Sequence, residues 1–75
     1  MSKAFILVNI KSGSETNVGK RLKALKNCSE IHFIYGVYDY ILMVTAPSTT
    51  KLKQSVIELR KIPEITSTLT MMIIE

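Results

Sequence analysis

The sequence predicts an α+β fold in which a four-stranded antiparallel sheet carries two helices on one face. Three observations lead there. Four short segments are rich in β-forming residues, and two others carry apolar residues at helical spacing. The six follow one another as strand, helix, strand, strand, helix, strand. The whole chain, residues 1–75, is short enough to form one domain and too short for two.

The first strand is Ala4 to Ile10 (AFILVNI), closed by the loop signal Lys11-Ser12-Gly13-Ser14. Helix one runs from Glu15 to about Lys26, with Val18, Leu22 and Leu25 on one stripe. Ser14 is placed to cap it, and Glu15 suits its positive N-terminal end. Gly19 costs this helix about 1 kcal/mol relative to alanine, so tertiary packing has to carry it. Asn27 ends it. The second strand is Glu30 to Tyr35, where Ile31, Phe33 and Tyr35 oppose His32 and Ile34.

Gly36 to Asp39 forms a turn into the third strand, Tyr40 to Ala46 (YILMVTA). Pro47-Ser48 opens helix two, from about Thr49 to Lys61, with Leu52, Val56 and Leu59 as its stripe and Ile57 beside it. Ile62-Pro63 stops that helix, because a residue before proline is pushed away from the helical region. The fourth strand is Thr66 to Ile74. The halves echo each other: Leu22 and Leu25 match Val56 and Leu59 at a spacing of 34, and Ser29-Glu30-Ile31 matches Pro63-Glu64-Ile65. This is the split βαβ order of ferredoxin-like folds.

Two helices cover only one side of a sheet, and a far side left in water should alternate apolar with polar. These strands are apolar on both sides. The first has Ala4, Ile6, Val8 and Ile10 against Phe5 and Leu7; the third has Ile41 and Met43 against Tyr40, Leu42 and Val44. The fourth has Leu69, Met71 and Ile73 against Met72 and Ile74, with Thr68 and Thr70 in line with the latter pair. Which set faces the helices is open at this stage. Either way one apolar set remains, and a chain this short has little core to spare. The mean hydropathy of +0.22 agrees. A homo-oligomer is expected, paired through the uncovered sheet.

The remaining features exclude more than they assign. One cysteine, Cys28, supports neither an internal disulfide nor a zinc site. No apolar run approaches the length of a membrane span, and the N-terminus has no signal-peptide pattern, so a cytoplasmic protein without membrane contact is expected. Cys28 and His32 lack an orienting acid, so no enzyme is expected. There is no phosphate-binding glycine spacing, and nothing calls for a cofactor or metal.

The net charge is +4. Basic residues gather at Lys20, Arg21, Lys23 and Lys26 and at Lys51, Lys53, Arg60 and Lys61, which read as solvated helix faces. The third strand lacks the basic-aromatic signature of RNA-recognition sheets, so RNA binding by the sheet is not expected; no direct nucleic-acid partner is expected either, binding through the basic helices being the last-ranked reading. Gly36-Val37-Tyr38-Asp39-Tyr40 is the one loop that offers backbone groups, a carboxylate and aromatic rings together. The turn alone accounts for Gly36 and Asp39, since glycine supplies a positive φ and aspartate accepts nearby N–H groups.

The opening AFILVNI, the Gly36-to-Tyr40 turn running into an apolar strand, Arg60-Lys61-Ile62-Pro63-Glu64-Ile65 and Thr66-Ser67-Thr68-Leu69-Thr70 together resemble the effector-binding (RAM) domain of the Lrp/AsnC regulators. The resemblance spans about Ala4 to Glu75. It implies sheet-to-sheet homodimers that assemble into rings, with amino-acid effectors bound between dimers. Carried over residue by residue, it assigns the ligand's polar groups to Gly36, Val37, Tyr38 and Asp39, with Thr68 and Thr70 as lesser contributors. Two departures stand out. No helix-turn-helix region precedes the domain, so a stand-alone version is expected, acting on transcription or metabolism through protein contacts. A second reading is a module that co-assembles with full-length Lrp/AsnC regulators without a ligand of its own. Position 64 is Glu where the family often has Gly.

Overall fold

The computed structural model describes residues 1–74 and has the expected order. The elements are β1 (Ser2–Ile10), α1 (Glu15–Lys23), β2 (Cys28–Phe33), β3 (Tyr40–Ala46), α2 (Thr49–Arg60) and β4 (Ile65–Met72). The sheet runs β2-β3-β1-β4, with every neighbouring pair antiparallel. β1 is therefore central, paired to β3 on one side and β4 on the other.

The side facing the helices is now fixed. Ala4, Ile6, Val8 and Ile10 of β1 and Tyr40, Leu42, Val44 and Ala46 of β3 are buried there. Val18 and Leu22 of α1, Leu52 and Leu59 of α2, and Ile62 complete the core. Thr68, Thr70 and Met72 stand opposite Val8, Ile6 and Ala4, so they lie on this same side, at the sheet edge.

Element ends shift for local reasons. α1 is shorter than its apolar stripe suggests, ending at Lys23. Ala24 and Leu25 donate to Arg21 and Leu22, tightening the last turn into i→i−3 bonds. Asn27 then takes φ 70°, and its carbonyl accepts from Thr45 N–H, tying the turn to β3. Leu25 still packs on the core, but from the turn. Ser14 holds the N-cap position of α1 without capping it. Its hydroxyl donates to the Lys11 carbonyl at 2.6 Å, whereas Ser48 does cap α2, accepting from Lys51 N–H at 3.2 Å. β2 starts and ends two residues earlier than its alternation suggests, with a register shift between Cys28 and Glu30.

Gly19 has a specific reason to be glycine. A Cβ there would lie 3.2 Å from the hydroxyl of Tyr40, which donates to the Glu15 carbonyl at 2.9 Å. Burial pushes the Tyr40 phenol up from its ordinary pKa, aided by Glu15 and Asp39, so it stays a donor. Gly19→Ala is therefore expected to gain little of the about 1 kcal/mol that alanine offers a helix. In a Tyr40→Phe background, where the hydroxyl is gone, the same change should stabilise by more. Urea unfolding of the two single variants and the double variant checks this coupling.

Glu64 also has a local role. Its carbonyl accepts from Lys11 N–H at 2.9 Å. Its carboxylate accepts from Asn17 Nδ2 at 2.9 Å and lies 3.8 Å from Arg21. The turn before β4 is thereby tied to α1, a contact glycine could not make.

Candidate functional site

Two surfaces remain once the core is counted. The first is the open side of the sheet. Phe5, Leu69 and Met71 are 36%, 44% and 43% exposed, and Leu7, Ile41 and Met43 are half-buried. Strand register makes them one patch: Phe5 stands beside Met43 and Met71, and Leu7 beside Ile41 and Leu69. Polar residues rim it. Asn9 bonds Ser67 at one end, Lys3 and Thr45 pair at the other, and His32 meets Glu30 at 3.3 Å along β2. An apolar centre inside a polar rim is the anatomy of a protein interface.

The second surface is the β2–β3 turn. Gly36 adopts φ +139°, a conformation that side chains rarely permit. Val37 is 85% exposed, and Tyr38 and Asp39 are half-buried. Tyr35 is fully exposed, and Phe33, 63% exposed, lies tilted against Tyr40 at 5.1 Å. The turn is held by Asp39. Its N–H donates to the Val8 carbonyl, its carbonyl accepts from Ile34 N–H, and its Oδ2 accepts from Ile10 N–H, each at 2.9 Å. The register of β1 shifts between Asn9 and Ile10, and the Asp39 carboxylate takes up the Ile10 amide there. One carboxylate oxygen is thus engaged with the fold.

The structure groups only part of the expected ligand set. Gly36, Val37, Tyr38 and Asp39 form one turn on the β3 side of β1. Thr68 and Thr70 lie on the β4 side, on the helix-facing surface, with β1 between them and the turn. Two strand spacings, about 10 Å, separate these rows. The Thr68 hydroxyl accepts from Arg60 Nε at 3.4 Å. The Thr70 hydroxyl is buried without a hydrogen-bond partner among the described residues. A groove of about 530 Å³ lies elsewhere, between α1 and the Ile31, Phe33 and Tyr40 side chains.

Sequence reasoning missed the Ile10 amide as the partner of Asp39, because no pattern announces a bulge. The exposure of Tyr35 leaves one mark in the sequence, its place directly before Gly36. Burial raises the Cys28 thiol above its ordinary pKa. Among the described residues, no three metal-ligating side chains gather, and no helix is long and apolar enough to cross a membrane.

An uncovered apolar sheet face and an aromatic, carboxylate-bearing turn are thus the two surfaces this α+β domain leaves outside its core. Residues 3–75 match the Lrp/AsnC ligand binding domain, and the chain belongs to that family. The crystal structure of an FFRP protein is 39% identical, with 99% of this chain and 100% of that one aligned at TM-score 0.92. The hypothetical protein PHS023 from Pyrococcus horikoshii is 38% identical over 100% of this chain and 92% of its own, at TM-score 0.91. AsnC of E. coli is 25% identical at TM-score 0.90; 99% of this chain aligns with only 51% of AsnC, so the chain spans about half that regulator's length. No curated protein sequence matches significantly.

Proposed function

We propose that this domain binds a small amino-acid effector at a subunit junction and couples that binding to homo-oligomer assembly, regulating transcription or metabolism through protein contacts. The observation that carries the reading is the open apolar sheet face, continuous across β3, β1 and β4 and rimmed by polar groups. Two such faces bury each other about a two-fold axis. Ring assembly from dimers then follows through the exposed β2–β3 arms.

The effector site is completed between subunits. Gly36 to Asp39 of one subunit offer backbone groups, the second carboxylate oxygen of Asp39 and aromatic surface; Thr68 comes from a neighbour, while the Thr70 hydroxyl is buried in its own subunit. This agrees with the gap of about 10 Å between the rows within one chain. A family fold neighbour, NMB0573 from Neisseria meningitidis, is a complex with L-Met, at 14% identity. The effector acts by its differential affinity for two assembly states.

Sedimentation equilibrium at micromolar concentration tests the assembly; a well-folded 8.5 kDa species would end the proposal. Calorimetry against the twenty amino acids tests the effector. No heat with any of them, on an assembled protein, leaves only the co-assembly reading, which co-purification with helix-turn-helix regulators would support.

The dual role of Asp39 makes a sharp prediction. Asp39→Asn keeps an oxygen for the Ile10 amide and is expected to retain the fold while weakening an effector's ammonium contact by tenfold or more. Asp39→Ala leaves that amide unpaired and is expected to destabilise by about 1–3 kcal/mol as well. Urea midpoints beside calorimetric titrations separate the two. An Asn variant that binds normally removes the carboxylate from the site.

A further inference from the structure

We propose that the helix layer is a docking surface for the phosphate backbone of double-stranded nucleic acid. Sequence alone reads these cations as ordinary solvated helix faces; their placement says more. Eight of the ten basic side chains lie on α1, α2 or the residues just after them, and all eight are exposed. Arg21 faces Glu64 and Lys61 faces Glu58. The other six, Lys20, Lys23, Lys26, Lys51, Lys53 and Arg60, form no salt bridge among the described residues.

The layer's carboxylates are Glu15, Glu58 and Glu64. Glu15 turns back to accept from Gly13 N–H at 3.3 Å. Eight cations against three carboxylates leave an excess of five, which is more than the chain's whole net charge of +4. The rest of the molecule is slightly acidic. Positive charge is therefore segregated onto one side, and the chain's pI near 9.4 reflects that excess.

A duplex fits this surface better than an acidic protein does. Protein interfaces need an apolar centre, and Ile57 is the single large hydrophobic exposed on either helix among the described residues. Nucleic-acid interfaces are polar and cationic and need none. The longer helix, α2, has twelve residues and so runs about 18 Å, near half a turn of duplex. That length of duplex presents roughly ten phosphates. Contacts from exposed lysines and arginines to phosphates carry no sequence information, so the binding is independent of sequence. It rests on neither the effector nor the sheet pairing, though pairing through the open sheet leaves both helix layers outward.

The test is fluorescence anisotropy of a labelled 30-base-pair duplex of arbitrary sequence with the intact protein, between 50 and 200 mM KCl. Six phosphate contacts predict that affinity falls about a thousandfold across that range. Lys51→Glu with Lys53→Glu should weaken binding at least tenfold at 50 mM and reduce the logarithmic salt slope by about two. Lys51→Arg with Lys53→Arg should bind as the parent does, which separates charge from folding. Three results would overturn the proposal: no binding at 50 mM KCl by folded protein, a salt slope indifferent to the glutamate pair, or tighter binding to a polyglutamate peptide than to the duplex at equal salt.

Discussion

Leu7→Lys is expected to convert an assembled protein into a folded monomer. Leu7 sits mid-way along β1 on the open face, with Ile41 on one side and Leu69 on the other. It is the centre of the apolar patch, where water exclusion matters most. In a two-fold pair both protomers carry the change. Each lysine forfeits up to a leucine's burial, about 1.5–3 kcal/mol, and brings a charge into the apolar centre. Lost burial alone weakens pairing by about 3–6 kcal/mol, a factor of about 10² to 10⁴ in dissociation constant. The protomer's own core is untouched, because Leu7 points away from it. Sedimentation should show the mass drop while far-ultraviolet circular dichroism stays unchanged. An unchanged mass would place the contact surface elsewhere.

The two-sidedness of the sheet was legible in the sequence, but its polarity was not. Phe5 and Leu7 alternate with Ile6 and Val8, and both sets are large aliphatics or aromatics. Period-2 alternation names two faces without saying which one the helices cover. That choice is made by how α1 and α2 cross the sheet, a tertiary fact. Element ends failed for similar reasons. The helical stripe of α1 continues to Leu25, yet the chain leaves the α-helix at Lys23 because Asn27 must reach β3 and α2. Its carbonyl meets Thr45, and its side-chain amide meets Ser55 Oγ at 3.2 Å.

The candidate site divides in the same way. Gly36 and Asp39 were legible because turn chemistry leaves local marks: a residue free to take positive φ and a short acceptor. The partner of Asp39 was not, since Ile10 lies 29 residues away and its amide is offered only through a register shift in β1. Thr68 and Thr70 were reached through family resemblance alone. Their distance from the turn within one subunit is something only the strand order reveals. Glu64 shows the converse: a departure from the family pattern that sequence could mark but not explain became a link to Asn17 and Arg21 once α1 was in place.

Ile6→Ala is the companion to Leu7→Lys, one residue away and on the opposite side. Ile6 is fully buried, between Leu42 of β3 and Thr70 of β4. Truncating a buried isoleucine costs about 2–5 kcal/mol, through lost transfer energy and the cavity left behind. Domains hold about 0.05–0.15 kcal/mol per residue, so a chain of 75 residues has roughly 4–11 kcal/mol in all. The variant is therefore expected to lose at least about a fifth of its stability, read as a lower urea midpoint. Pairing adds a second signature, because association stabilises the folded state by mass action. The Ile6→Ala midpoint should rise with protein concentration, as the parent's should. That of Leu7→Lys should be independent of concentration. If both variants lost mass and stability in the same proportion, the two faces of the sheet would not be doing separate jobs, and pairing through the open one could not be maintained.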